Sequence, residues 1–321
     1  GRRAPTPYNG KSKGDRAAAR LDAKAALRPS RSTTRAGETA TIRTILLTAL
    51  SMLAFAANSI LARLALATAG AEPATYTGIR LAAGALTLGL ILLVRDRRLA
   101  IAGSWAGAAS LFGYAILFSI AYVLLGAGAG ALILFASVQV GILGWAVCKG
   151  DRPGLLEALG LLVALAGLAY LVAPGLVAPS PLGAGLMAGA GLGWAAYTLI
   201  GRGSASPLAD TAGNFIRTLP AAIVLILVGL LLQAPSPLAT AYALASGAIA
   251  SGLGYIVWYA VLPGLSRTRA AIVQLTVPAI AAAGGVLLIG RAADPAPRRL
   301  HHPHPRRRRL RAPRRRPPAP R

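Results

Sequence analysis

Long apolar runs alternate with short polar links over most of the chain. A helix that crosses a bilayer needs about 20 mainly apolar residues, and at that length the sequence predicts nine segments. They lie at 45–68, 76–94, 105–125, 131–147, 155–172, 182–200, 211–232, 238–262 and 270–289. The links carry helix breakers, as in 173–181 and 234–237. The pattern therefore predicts an all-α, polytopic membrane protein.

Positive charge alternates among these links. Lys and Arg occur in the links after segments two, four, six and eight, and none occurs after segments one, three, five and seven. Because positively charged links stay in the cytoplasm, the pattern predicts a multi-pass protein of the inner or plasma membrane with a cytoplasmic N-terminus. Nine segments would then place the C-terminus outside the cell.

The composition separates a membrane region from two basic tails. Hydrophobic residues make up 55% of the chain and charged residues only 13%, against about 25% charged in a soluble domain. Residues 1–43 carry eleven Lys or Arg and three acids, and residues 291–321 carry twelve Arg and one acid. We expect both tails to be disordered. The single cysteine, Cys148, excludes an internal disulfide.

The two halves of the membrane region resemble each other in sequence. Residues 57–63 match 196–202, Arg80 aligns with Arg217, and residues 131–138 match 270–277. A repeat of five helices makes its second copy enter the membrane from the opposite side, an arrangement found in secondary transporters with a site between the halves. The sequence thus predicts a first repeat at 44–173 and a second at 181–290, in which four helices are evident.

Several motifs, in order, resemble the EamA-type family of the drug/metabolite transporter superfamily. They are residues 54–59, Arg80, residues 130–139, Gly150-Asp151-Arg152 (where the family usually has Gly-Glu-Arg), residues 277–280 and residues 284–290. The resemblance covers roughly residues 45–290. It implies a ten-helix fold of two inverted five-helix repeats and a transporter of a small metabolite or drug that works as an exporter.

The resemblance ends after Gly290. There the family continues with Glu-Pro-Leu-Thr and a last helix, whereas this chain continues with the Arg- and Pro-rich residues 291–321. Residues 291–309 can be encoded so that dropping one base restores the motif and an apolar helix. We therefore interpret the C-terminus as a frameshift product that has lost the tenth helix. The alternative is a genuine basic tail that binds anionic lipid or nucleic acid.

Polar side chains inside apolar segments are costly in a membrane and indicate function by default. Arg80 and Arg217 lie near opposite mouths of the bundle, where each would bind an anionic group or latch a gate. Snorkelling towards the headgroups or a contact to a backbone carbonyl is the alternative. Candidates for cavity lining, with interhelical hydrogen bonding as the alternative, are Asn58, Gln139, Asn214 and Gln274.

Aromatic residues in the segments are candidates for a wall against an apolar or flat substrate. As a group they fit equally well as packing residues or as anchors at the membrane interface. They are Tyr122, Trp194, Tyr197, Trp258 and Tyr259.

Absent motifs narrow the mechanism. No Asp or Glu lies near the centre of a segment, no GxxxxGK[ST] phosphate loop occurs, and all three histidines lie in the C-terminal tail. A central carboxylate relay, a built-in ATPase and a catalytic triad therefore have no candidate residues, and the sequence points to no cofactor and no metal.

We predict a non-enzymatic secondary transporter of a small molecule that lies in the lipid bilayer and works by alternating access. No specific nucleic-acid partner is expected, and a homodimer is left open. Two other interpretations stay open. One is a truncated, inactive transporter, and the other is a membrane-anchored basic protein that binds anionic lipid or nucleic acid through its tails.

Overall fold

A computed structural model describes residues 31–99, 101–125, 127–150, 154–173 and 179–289. Over these residues the secondary structure is helical and contains no strand. Residues 1–30 of the N-terminal tail and the whole of 291–321, with its frameshift hypothesis, lie outside the described residues.

The helices follow the predicted segments. The first half contains α1 (Arg31–Arg63), which continues into a π-helical turn (Leu64–Thr68), then α2 (Pro73–Asp96), α3 (Trp105–Leu124), α4 (Ala127–Cys148) and α5 (Leu155–Val172). The second half contains α6 (Pro181–Gly201), α7 (Pro207–Leu232), α8 (Pro237–Ala245), a π-helical segment (Ser246–Leu253), α9 (Gly254–Val261), α10 (Arg267–Gln274) and α11 (Thr276–Ile289).

Three boundaries differ from the prediction. Residues 31–43, which the sequence places in the N-terminal tail, are helical within α1. The eighth segment is interrupted by the π-helical segment, and the ninth is broken at Leu275 between α10 and α11. Hydropathy measures apolar length but not the hydrogen-bond register of the backbone, so it merges such pieces into one helix.

In the described part of the chain, seven helical stretches are long and apolar enough to cross a membrane. They are Thr41–Thr68, Pro73–Asp96, Trp105–Leu124, Ala129–Cys148, Pro181–Gly201, Pro207–Leu232 and Pro237–Gly264. The helices α5 and α11 are not among these seven. The count of nine membrane helices therefore stays a prediction.

Short polar residues fix the starts of several helices. Ser180 Oγ accepts a hydrogen bond from the amide of Gly183 at 3.1 Å, and Ser236 Oγ accepts one from Ala239 at 3.1 Å. Each serine is followed by a proline at the first helical position, where the missing amide hydrogen costs nothing. The breakers in the links therefore act as helix caps.

Helices of the two predicted repeats pack against each other. α2 lies along α7, α3 lies along α6, and α1 contacts α9 and α11. A Cβ atom at Gly247 would collide with the carbonyl oxygen of Arg80, and one at Gly193 would lie 3.2 Å from the amide nitrogen of Tyr114. Glycine at such positions lets membrane helices approach closely, which brings polar residues of distant segments together in the bundle.

Candidate functional site

A pocket lies between helices from both halves of the chain. Its free volume is about 30 Å³, which is room for about two water molecules. The lining residues come from α1, α3, α4, α6, α9, α10 and α11: Phe55, Asn58, Ser59, Tyr114, Phe118, Leu134, Phe135, Val138, Trp194, Tyr255, Gln274 and Val277. Tyr114 lies in the middle of α3 and Val138 in the middle of α4, so the pocket is at mid-depth in the bundle.

Four aromatic rings form one wall of the pocket. Trp194 is at their centre, with its ring centroid 5.2 Å from that of Phe55, 5.1 Å from that of Tyr114 and 4.9 Å from that of Tyr255. The planes are tilted or perpendicular to one another, which is the preferred geometry of aromatic pairs. This cluster presents a rigid and largely apolar surface.

Arg80 lies directly behind this wall. Its side chain is buried, with 1% exposed. Its Nε donates to Ser251 Oγ at 3.0 Å, and its Nη2 donates to the hydroxyl oxygens of Tyr114 at 3.3 Å and Tyr255 at 3.0 Å. Its Nη1 has no hydrogen-bond partner among the described residues. The guanidinium is thus held by neutral hydroxyls, and no carboxylate of the described residues forms an ion pair with it.

A second set of hydrogen bonds ties Asn58 to the same region. Ser246 Oγ donates to Asn58 Oδ1 at 2.6 Å, and Ser251 Oγ is 3.4 Å from the same atom. The hydroxyl of Tyr76 is 2.9 Å from Ser246 Oγ. Both serines belong to the π-helical segment Ser246–Leu253, and π-helical turns are frequent at functional sites. This segment therefore supplies the groups that link Arg80 to a residue of the pocket.

The side-chain amide of Gln274 makes two hydrogen bonds within the site. Its Oε1 accepts from Trp194 Nε1 at 2.6 Å, and its Nε2 donates to the carbonyl of Ala270 at 2.9 Å. Gln274 therefore fixes the orientation of the Trp194 indole at the centre of the aromatic wall.

Arg217 lies away from the pocket. Together with Asp210 and Asn214 of α7 it forms a group of side chains, here named the α7 clamp, that holds the link before α3. Arg217 Nη1 donates to the carbonyl of Ala102. Asp210 Oδ1 accepts from the amide of Gly103 at 2.9 Å, and Asn214 Oδ1 accepts from that of Ser104 at 2.9 Å. The guanidinium carbon of Arg217 is 5.7 Å from the ring centroid of Trp105.

The remaining sequence-predicted residues do not themselves line the pocket. Gln139 Nε2 donates to the carbonyl of Ala271 at 2.9 Å and joins α4 to α10. The Tyr259 hydroxyl donates to the carbonyl of Tyr197 at 3.0 Å, and the ring of Tyr122 packs on that of Phe118 at 5.3 Å. Trp258 is fully buried, and its ring centroid is 5.6 Å from that of Phe55. Of the eleven candidates predicted from the sequence, Asn58, Trp194 and Gln274 line the pocket and Arg80 adjoins it.

Comparison with known proteins agrees with this architecture. The family model of the EamA-like transporter family matches residues 181–295. The uncharacterized protein PA1977 of Pseudomonas aeruginosa is 51% identical over 256 residues, which cover 79% of this chain and 88% of that protein. The chain belongs to the EamA-like transporter family. A protein of known crystal structure shares the fold of this EamA chain, with a TM-score of 0.62 and 21% identity over 78% of this chain and 91% of that one.

Membership confirms the resemblance seen in the sequence motifs. A transporter family and seven apolar helices of spanning length together make this EamA-family chain a multi-pass membrane protein of the drug/metabolite transporter type.

Sequence reasoning missed most of the residues that line the pocket of this EamA protein. Four residues that it missed form the aromatic wall or hold Arg80: Phe55, Tyr114, Ser251 and Tyr255. For two of them, the spacing of aromatic residues in the sequence is informative. Tyr114 is four residues before Phe118 and eight before Tyr122, and Tyr255 is four residues before Tyr259. Residues four apart lie on the same helix face, so these spacings indicate aromatic faces, although they do not say what each face meets.

Proposed function

We propose that this protein is a secondary transporter that moves a small molecule across the cytoplasmic membrane by alternating access. The observation that carries the proposal is the mid-depth pocket, because its lining comes from helices on both sides of the boundary between the two predicted repeats. A site between repeats near the midplane is the arrangement that allows one repeat to rock against the other around a bound substrate.

The contacts at the two ends of the bundle support the alternating step. At one end the α7 clamp fastens the link at 101–104 to α7. At the other end, Gln233 Nε2 donates to the carbonyl of Gly70 at 2.8 Å. Opening either end requires these polar contacts to break. We infer from the positively charged links that the clamped end faces the cytoplasm and that the N-terminus lies on the same side.

Substrate binding also requires movement of the helices. A free volume of about 30 Å³ is far below the ~300 Å³ or more of a typical ligand pocket. We therefore infer that a substrate enters in a conformation in which one end of the bundle has opened. The family resemblance favours export as the direction, with entry from the cytoplasm. Nothing in the described residues favours an inactive or a tail-tethering role.

The test is flux through the pocket. The full chain would be reconstituted in proteoliposomes and supplied with radiolabelled amino acids, organic acids and cationic dyes. Val138, which is fully buried and lines the pocket, and Val140, which is 69% exposed on the same helix, are a matched pair. We expect Val138→Phe to lower the flux of the transported compound by roughly tenfold or more, because small displacements at a binding site cost large factors.

Val140→Phe should leave flux unchanged, since its side chain faces outwards from the bundle. Size-exclusion profiles check the folding of both variants, and Ser59→Phe replaces Val138→Phe if that variant aggregates. Equal flux in the pocket variant and in Val140→Phe would exclude this pocket as the path. Absence of flux for every compound with the unmodified chain would contradict the transport proposal.

A further inference from the structure

The pocket has hydrogen-bond donors that its own residues do not use. Tyr114 and Tyr255 each accept a hydrogen bond from Arg80 Nη2. A phenol can accept and donate at the same time, and no hydrogen bond of the described residues uses either hydroxyl proton. The hydroxyl of Tyr255 is also within reach of those of Tyr114 and Ser251, so either phenol can exchange such a contact for one to a ligand. The aromatic wall can therefore donate a phenolic proton to a ligand.

Asn58 adds a donor from α1. Its side chain accepts hydrogen bonds through Oδ1 from the two serines of the π-helical segment, and its Nδ2 group makes no hydrogen bond to the described residues. By contrast, the side-chain amide of Gln274 already makes two hydrogen bonds, since Oε1 accepts from Trp194 and Nε2 donates to a backbone carbonyl, and it keeps one donor and one acceptor site. The groups left for a ligand at this pocket thus favour an acceptor.

The positive charge of Arg80 behind the pocket also favours a ligand that accepts hydrogen bonds. Arg80 is a buried cation whose described partners are all neutral hydroxyls, and its Nη1 is unpartnered. A buried charge without a counter-ion is costly, so a ligand that brings a negative charge near it lowers that cost. Hydrogen bonds to an ionised acceptor are also about twice as strong as those between neutral groups.

We propose that the substrate is a small organic anion in which a carboxylate is attached to an apolar or aromatic body. The carboxylate accepts from the hydroxyls of Tyr114 and Tyr255, and the body packs on Phe55 and Trp194. Arg80 acts as a positioning residue, since it holds and polarises the two hydroxyls instead of lining the pocket. The inference rests on the proposed transport function, because it names the class of molecule carried.

A set of probes matched in shape and different in charge tests this class. The full chain in detergent micelles would be titrated with phenylacetate, phenylacetamide and phenethylamine, and with hexanoate as an aliphatic acid. Binding is read from the shift in unfolding temperature, which follows ligand occupancy. We expect the two acids to bind and the amide and the amine to bind at least about tenfold more weakly. The proposal is overturned if the amine or the amide binds as tightly as phenylacetate. It is also overturned if neither acid binds up to about 10 mM.

Conservative variants show which groups make the distinction. Tyr114→Phe and Tyr255→Phe keep the rings and remove the hydroxyls, and we expect each to weaken the acid about tenfold. Tyr259→Phe is the control, because that buried hydroxyl donates to a backbone carbonyl outside the pocket. Equal loss in all three variants would overturn the assignment of the hydroxyls.

Arg80→Gln separates a role of charge from a role in folding. If Arg80 acts through its charge, this variant weakens the acid and leaves the amide unchanged, so the ratio of the two affinities falls by about tenfold. Equal weakening of acid and amide would indicate a structural role and overturn the inference.

The same probes distinguish failure of the inference from failure of the transport proposal. Flux of phenethylamine without binding of the acids would overturn the anion class and leave the transporter intact. Binding of an acid with the expected dependence on Tyr114 and Tyr255, but without flux of that acid into proteoliposomes, would support the anion site and contradict transport.

Discussion

Arg80 and Arg217 align in the sequence repeat, yet they lie in different surroundings. Arg80 is fully buried and bonded to side-chain hydroxyls behind the pocket. Arg217 is half-buried, bonded to the backbone carbonyl of Ala102 and stacked on Trp105. Positions that align in the predicted repeats thus make different contacts, one next to the proposed substrate and one at an end of the bundle.

Both regions nevertheless depend on a glycine that allows close packing of the backbone. Next to Arg80, a Cβ at Gly247 would meet the carbonyl oxygen of Arg80 itself, and next to Arg217, a Cβ at Gly213 would meet that of Ala102. In both regions a glycine brings a backbone segment close enough for polar contacts to form. The two arginines therefore differ in the groups that these close approaches place beside them. We expect them to tolerate substitution to different degrees.

The largest contrast is expected from replacing each arginine by lysine. Arg80→Lys should lower flux by roughly a hundredfold, because an ammonium lacks the planar fork that reaches three hydroxyls through Nε and Nη2. Arg217→Lys should stay within about threefold, since lysine can still donate to one carbonyl. Flux is measured in proteoliposomes for the same compound. Equal losses of flux in the two variants would contradict the expected difference between the two arginines.

An intermediate effect is expected from weakening one end at a time. Asn214→Ala removes the acceptor of the Ser104 amide at the clamped end, at a cost of about 1 kcal/mol, which corresponds to about a fivefold shift between open and closed states. The readout is labelling of a cysteine at Ser59 in the pocket by a membrane-impermeant maleimide, in a background with Cys148→Ser. Labelling from the clamped side should rise.

The matched control for that experiment lies at the opposite end. Gln233→Ala removes the bond to the carbonyl of Gly70, so labelling should rise from the other side of the membrane and by a smaller factor, because this bond is exposed to solvent. If both variants raise labelling from the same side, the two ends do not open alternately.

The smallest effect is expected at Trp105. This ring is 72% exposed, and Trp105→Leu would remove its contact with the Arg217 guanidinium at a cost of about 0.5–1 kcal/mol. Thermal unfolding in detergent measures the change, and flux should be unaffected. A loss of about 3 kcal/mol or more, which is typical of a core truncation, would show that Trp105 supports the fold and not only the α7 clamp.

The sequence predicts the seven helices of spanning length in the described residues well, because their signal is local. Each apolar run is long, and the Ser-Pro pairs at 180–181 and 236–237 mark helix starts through short-range capping. The sequence also predicts the family, because several family motifs occur in the same order as in the family. The sequence also places Arg80 inside a spanning segment, where a charged side chain is costly and therefore indicates a function.

The partners of Arg80 could not be predicted in the same way. Ser251 and Tyr255 are 171 and 175 residues further along the chain, and their approach depends on which helix faces meet. One sequence without a measured contact does not fix that choice. The π-helical segment is equally invisible to periodicity, because its residues are about as apolar as those of the preceding helix α8.

The π-helical segment makes the site sensitive to chain length. Successive residues of an α-helix are rotated by about 100° around its axis. Deleting one residue within 246–253 would therefore turn everything that follows by about that angle relative to Ser246, and would carry the Tyr255 hydroxyl away from Arg80. Substitutions here are expected to be accepted far more readily than single-residue deletions or insertions. Relatives that keep this site are expected to keep the number of residues between Ser246 and Tyr255, whatever those residues are.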